Sequence, residues 1–225
     1  MAVMKVLCLP TWREGCLLAR GVDPELSREG REDILYLKPC ASKGELMAEI
    51  DLGGKGARPL DPHLLCHLLE KARPWFSEVK CSPTLRAARF RWGIAEVSIF
   101  GDGGVKIRRA LDHEEVSHLS SLLARLLWGA MRCEVCGLPA LRCASGGCRC
   151  AGEGRREVAV DDPLLLAALS SLERIREVMG TEREELLREA ERQILLFILK
   201  ARKEEVPLAL FLLAGIEERK DTPKP

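Results

Sequence analysis

Between residues 133 and 150 the chain reads Cys133-Glu-Val-Cys136-Gly-Leu-Pro-Ala-Leu-Arg-Cys143-Ala-Ser-Gly-Gly-Cys148-Arg-Cys150, so half of its ten cysteines lie in one short stretch. A Cys-x-x-Cys turn aims two thiolates at one point, and a second cysteine group can close a tetrahedral thiolate site. The pattern predicts a bound metal, zinc first or an iron–sulfur cluster. In the zinc form Cys133 and Cys136 make a knuckle, with Gly137 relieving the tight turn. Two of Cys143, Cys148 and Cys150 then complete a closed site that folds the loop and does no chemistry. In the iron–sulfur form three of these cysteines and one more hold a cluster for electron transfer or redox sensing. Disulfides or spare thiols are the plain alternative, but disulfide packing alone does not account for such density in a cytosolic loop.

Five thiols for four positions is one too many. If Cys148-Arg-Cys150 is extended, its two thiols point to opposite faces and only one reaches the metal. Cys148 then joins Cys133, Cys136 and Cys143, with Cys150 in reserve; a reactive fifth thiol that carries sulfur or forms a disulfide is the sharper version of the same idea. The scattered Cys8, Cys16, Cys40, Cys66 and Cys81 have spacings compatible with pairs, free buried thiols or ligands.

Several elements must position this stretch. Met4–Leu9, Ile34–Lys38 and Leu46–Leu52 read as strands, the last two around a turn at Ala41–Gly44. Gly53–Gly56 is a flexible loop without the remaining residues of a phosphate-binding loop. Asp61-Pro62 starts a helix to about Ala72. His63, Cys66 and His67 share one of its faces and could grip a metal, although packing beside Leu64, Leu65, Leu68 and Leu69 is the plainer reading. Ser82-Pro83 opens a short helix by the same logic. Ile94–Phe100 and Val105–Arg109 alternate apolar and polar residues around Gly101–Gly104, a hairpin. Asp112-x-x-Glu115 then caps a helix that buries Val116, Leu119, Leu122, Leu123, Leu126 and Leu127 and leads into Cys133. Beyond Cys150, Val158–Val160 is a short strand. Asp162-Pro163 caps a helix to Gly180, Thr181-x-x-Glu184 begins the next, and Pro207 opens the last.

Composition bounds the function. With 225 residues, 47% hydrophobic and 31% charged, the chain can bury one large core or two modest ones. A net charge of +1 gives no overall basic footprint. Arg86, Arg89, Arg91, Lys106, Arg108 and Arg109, with Phe90 and Trp92 among them, are the one basic–aromatic concentration, a surface that could track a phosphate backbone and stack a base. Residues 1–20 lack the pattern of a signal peptide and no run reaches bilayer length, so a cytoplasmic location without membrane is expected. The absence of Asn, the single Gln193 and the abundance of Arg and Glu follow a thermophile tendency. Ile194–Leu199 and Leu208–Leu213 are apolar almost all round, which predicts a partner chain or a homo-oligomer through the C-terminal helices.

Arg91-Trp92-Gly93, Glu96-Val97, Gly104-Val105, Arg108 to Ala110, an acidic-start helix and Cys-x-x-Cys-Gly together resemble the accessory region of archaeal PAPS-reductase-like proteins, over about residues 89–160. The resemblance implies an iron–sulfur site in a sulfur-metabolism or sulfur-transfer setting, with reductase catalysis on a partner. Pro139 stands where a ferredoxin run has its third cysteine, a departure that leaves zinc open as the metal in place of a cluster.

The expected protein is α+β: a small mixed N-terminal part (residues 1–82), a β-hairpin–helix module with the Cys-rich metal loop (83–160) and a C-terminal helical bundle (161–225). Its expected function is that of a non-catalytic metal-binding accessory protein or subunit of a redox or sulfur-metabolism enzyme. A zinc-ribbon-like nucleic-acid-binding protein using the Arg86–Arg109 surface is the alternative.

Overall fold

The computed structural model describes residues 4–20, 34–39, 46–52, 59–175 and 177–221. In chain order the elements are β1 (Lys5–Trp12), α1 (Leu17–Arg20), β2 (Ile34–Pro39), β3 (Leu46–Asp51), α2 (Pro62–Lys71), β4 (Ser77–Ser82), β5 (Ala87–Trp92), β6 (Ala95–Phe100) and β7 (Gly104–Ala110). They continue with α3 (His113–Leu127), α4 (Ala140–Ala144), β8 (Ala151–Val160), α5 (Pro163–Arg174), α6 (Gly180–Lys200) and α7 (Val206–Asp221). The strands pair antiparallel, which makes the protein α+β. The chain forms two compact units, Asp23–Arg132 and Met1–Val22 with Cys133–Pro225. The boundaries expected after residues 82 and 160 do not coincide with this division. The reason is β1, which pairs with β8 far along the chain, a partnership that leaves no local mark in the sequence.

In the unit of residues 23–132 a six-stranded sheet runs in the order β2-β3-β7-β6-β5-β4. Period-two alternation sends Phe90, Val97, Ile99, Val105 and Ile107 to one buried face, where α2 and α3 cover them. Asp61 starts α2 by accepting from the N–H groups of His63 and Leu64 at 3.2 and 3.1 Å. Asp112 starts α3 by accepting from the Glu115 N–H at 2.8 Å, and Glu115 reaches back to the Leu111 N–H. The helix expected at Ser82-Pro83 is instead the turn between β4 and β5. Ser82 Oγ does accept from the Leu85 N–H at 3.2 Å, but Arg86 takes a positive φ and the chain doubles back into β5. The turn at Ala41–Gly44 and the loop Gly53–Gly56 lie outside the described residues.

Cys66 on α2 and Cys81 on β4 form a disulfide. This takes Cys66 out of the helical face shared with His63 and His67, so the three are not a ligand set; Leu65, Leu68 and Leu69 bury the helix. A cross-link closing a loop of this length, with 15 residues of sequence separation, stabilises mainly by restricting the unfolded chain. Cys66→Ala/Cys81→Ala is therefore expected to lower the stability of this unit by about 3 kcal/mol, read from urea unfolding of the oxidised protein. An unchanged midpoint would show that the bridge is not formed in solution.

The other unit starts from the β1–β8 ribbon, paired from Lys5↔Val160 to Pro10↔Arg155, with a shift of register before Trp12↔Ala151. At Gly152 the strands approach so closely that a Cβ would meet Thr11 Oγ1 at 2.7 Å. β8 begins well before the expected Val158, because its first half is glycine and charge on an exposed ribbon and shows no apolar alternation. Asp162 starts α5 by accepting from the Leu164 N–H at 2.8 Å. The helix stops at Arg174 rather than running to Gly180, and α6 begins at Gly180 without a side-chain cap, so Thr181 and Glu184 do not form the expected box. α6 packs against α5 and α7, and α7 also touches α4. Ile194, Leu195, Ile198, Leu210 and Leu213 are buried there. No described helix is long and apolar enough to cross a membrane.

Candidate metal centre

The knuckle forms for local reasons. Gly137 N–H donates to the Cys133 carbonyl at 2.8 Å and Cys133 N–H donates to the Leu138 carbonyl at 2.8 Å, closing the loop on itself. Gly137 has φ +75°, a left-handed conformation that glycine adopts without strain. Pro139 then starts the short helix α4, which presents Cys143, and Gly146 (φ +82°) turns the chain out of it. Residues 148–150 are a turn, with the Ala151 N–H donating to the Cys148 carbonyl at 3.1 Å. The end of β1 is bound to this loop: Arg13 N–H donates to the Cys150 carbonyl at 2.8 Å and Trp12 Nε1–H to the Cys143 carbonyl at 3.0 Å. The next turn of chain delivers Cys16, immediately before α1.

All five predicted thiols are drawn together, and Cys16 joins them. The Sγ atoms of Cys16, Cys133 and Cys150 lie within 4.8 Å of one another; so do those of Cys133, Cys136 and Cys143, and those of Cys136, Cys148 and Cys150. Cys133 and Cys150 stand 3.8 Å apart and Cys136 and Cys143 3.4 Å apart. Zinc–thiolate bonds of about 2.3 Å put the edge of a regular sulfur tetrahedron near 3.8 Å. The sulfurs therefore already lie near the spacing that one shared ion imposes. A four-iron cubane places each cysteine on a separate corner iron and needs its sulfurs farther apart. Cys16, Cys133, Cys143 and Cys150 are buried, while Cys136 and Cys148 are half-buried and form the lip.

The electrostatics are those of crowded sulfur. Burial pushes the Cys133 thiol up, but N–H groups of Leu17, Cys136 and Val135 point at its sulfur, with the Cys150 thiol beside them, and bring it down to about 6. Burial drives Cys143 upward, reinforced by the sulfurs of Cys136 and Cys148, and drives Cys150 upward, reinforced by Cys136, Cys133 and Cys16. Cys16 is raised by burial against the opposing pull of the Leu18 N–H. Backbone donors stabilise one thiolate here, while several at once would repel unless a cation sat among them. The arrangement can hold a metal ion, and the N–H groups aimed at Cys133 are the outer-shell support that such sites use.

Two expectations change. Cys148-Arg-Cys150 is not extended, so its thiols do not diverge; both face the cluster, and Cys150 is as fully enclosed as Cys133. The Cys150 sulfur belongs to two of the three triads. Cys16 carries no local sign of belonging to the cluster, because over a hundred residues separate it from Cys133. The signal that could have found it is the odd thiol count: five is too many for one tetrahedron and one short of two sharing an edge. Cys8 is an exposed free thiol on β1, and Cys40 lies outside the described residues.

The basic surface belongs to the other unit and is interleaved with acid. Arg89 pairs with Glu96 at 2.8 Å, Arg91 with Glu78 at 2.7 Å and Lys106 with Glu49 at 2.6 Å, all on the sheet face away from α2 and α3. Phe90 is buried against Phe76, and Trp92 packs edge-on to the same ring. No family model matches the chain, and no curated protein or solved structure matches it.

Proposed function

We propose that this chain is a non-catalytic metal-binding accessory protein whose cysteine cluster is a closed structural centre for zinc. The observation that carries the reading is the sulfur spacing: buried thiols from separate segments converge at the separation of tetrahedral edges. A centre closed by thiolates alone has no open position for a substrate, so its work is to fold and fix the segments that carry it. Those segments are the end of β1, the knuckle, α4 and the start of β8.

The reading extends to a larger redox or sulfur-handling enzyme as partner, supported by the resemblance over residues 89–160. That stretch is shared between the two units, so the resemblance cannot describe one folding module. The apolar composition of 194–199 and 208–213 supports contact with a second chain, although many of these side chains are already buried. The nucleic-acid reading is weaker. Three of its six cations, Arg89, Arg91 and Lys106, are paired with Glu96, Glu78 and Glu49, and cations already neutralised this way release fewer counterions from a phosphate backbone.

The test is the metal content of protein purified without oxygen and with a phosphine reductant. Colourless protein holding tightly bound zinc and no inorganic sulfide is expected. Brown protein containing iron and sulfide would replace zinc with a cluster, and protein with neither metal would remove the reading.

A further inference from the structure

We infer that the centre is binuclear: six thiolates, with Cys16 as the sixth, enclose two zinc ions that share two sulfurs of the Cys133, Cys136 and Cys150 triangle. The inference rests on the metal-binding reading and adds the number of ions and the ligand that no local motif announces.

The geometry leads there in steps. One tetrahedral ion uses four sulfurs, and six converge. If four of the six formed a separate group, the other two would be bystanders, but the contacts do not separate that way. Cys133, Cys136 and Cys150 are mutually within 4.8 Å, because each pair of them belongs to one of the three triads. Around this inner triangle stand the other three: Cys16 beside Cys133 and Cys150, Cys143 beside Cys133 and Cys136, Cys148 beside Cys136 and Cys150. Cys143 also lies close enough to Cys148 for each sulfur to act on the other. Two tetrahedra that share an edge have six corners in all, which is the number present. Cys133, Cys136 and Cys150 each belong to two of the triads, whereas Cys16, Cys143 and Cys148 each belong to one. The shared edge is therefore drawn from the inner triangle of Cys133, Cys136 and Cys150.

Charge points the same way. One zinc with four thiolates leaves a net charge of minus two in a largely buried place. A second zinc brings two positive charges, and the two thiolates it recruits bring two negative ones, so the site gains an ion without gaining net charge. Leaving Cys16 and one other thiol outside the coordination would instead bury two unused sulfhydryl groups against a negative centre. The backbone of Leu17, next to Cys16, already donates to the Cys133 sulfur, so the N-terminal segment is seated on the cluster by more than one thiol.

The experiment counts ions on the full-length chain, reduced and free of oxygen. Two zinc ions per chain are expected by native mass spectrometry and elemental analysis. In cadmium-exchanged protein, two cadmium NMR resonances coupled through a shared sulfur are expected. Cys16→Ser should lower the count to one and abolish the coupling, while Cys8→Ser, which alters the exposed thiol of β1, should keep both ions. A single tightly bound ion in the unaltered chain would overturn the binuclear inference and leave the structural-metal reading intact. Absence of bound metal would overturn both. The count on the unaltered protein decides the number of ions even if Cys16→Ser fails to fold. Two ions retained by a folded Cys16→Ser variant would remove Cys16 from the ligand set.

Discussion

Stripping the metal with a strong chelator under reducing conditions is expected to unfold the cysteine-bearing part of residues 133–160 and to release the end of β1 with it. Apparent binding free energies of structural zinc sites are about 10–16 kcal/mol at neutral pH. That equals or exceeds the whole stability of a typical domain, about 5–15 kcal/mol. The elements around the cluster have little else to hold them. α4 has five residues and α1 four, far below the length at which a helix persists by itself. The ribbon is only two strands wide, and such a pair is marginal in water without support. Hydrogen exchange should therefore show amide protection lost over residues 5–20 and 133–160 after chelation, and reduced over α7, which packs on α4. Protection over α2, α3 and strands β4 to β7 should persist, because that unit has its own buried core and contains none of the cluster cysteines. Unchanged exchange across the cysteine loop after complete metal removal would show that hydrogen bonds and sulfur packing hold it unaided.

The centre is legible in the sequence because its chemistry is local. Cys133, Cys136 and Gly137 announce a knuckle by type and spacing, and the structure closes that turn. Hairpin β6–β7 and helix α3 are legible for the same reason: alternation and capping are properties of neighbouring residues. What stays hidden is non-local. Cys16 enters the cluster only because β1 pairs with β8, and neither strand names the other in the sequence. β4 and β5 escape a sequence reading because Ser82-Pro83, at the turn between them, carries the signature of a helix start. The correction at Cys150 has a different origin. A period-two argument holds only inside a strand, and Gly146 and Gly147 precede Cys148-Arg-Cys150 at a place where the chain turns. His63, Cys66 and His67 show the converse limit, since a shared helical face cannot reveal that Cys81 on a separate strand has taken the sulfur.

Replacing Phe90 by alanine is expected to destabilise the sheet unit by about 3–5 kcal/mol, the usual cost of deleting a fully buried phenyl ring. Phe90 is fully buried on β5, and its ring stacks on Phe76 with centroids 4.3 Å apart. It faces the layer where α2 covers β4 and β5, so the lost volume lies beneath the helix that the Cys66–Cys81 bridge pins to the sheet. The bridge restricts how far α2 can sink into the space, which favours the upper part of the range, since cavities that cannot collapse cost most. Urea unfolding followed by the tryptophan signal would measure it, with Trp75 and Trp92 close to the site. The same variant separates the two units experimentally. Its metal content and its amide protection over residues 133–160 should match those of the unaltered chain, because every cluster sulfur belongs to the other unit. A variant that loses metal together with sheet stability would show that the two units fold as one cooperative body, and the centre's stabilising role would then have to be reckoned over the whole chain.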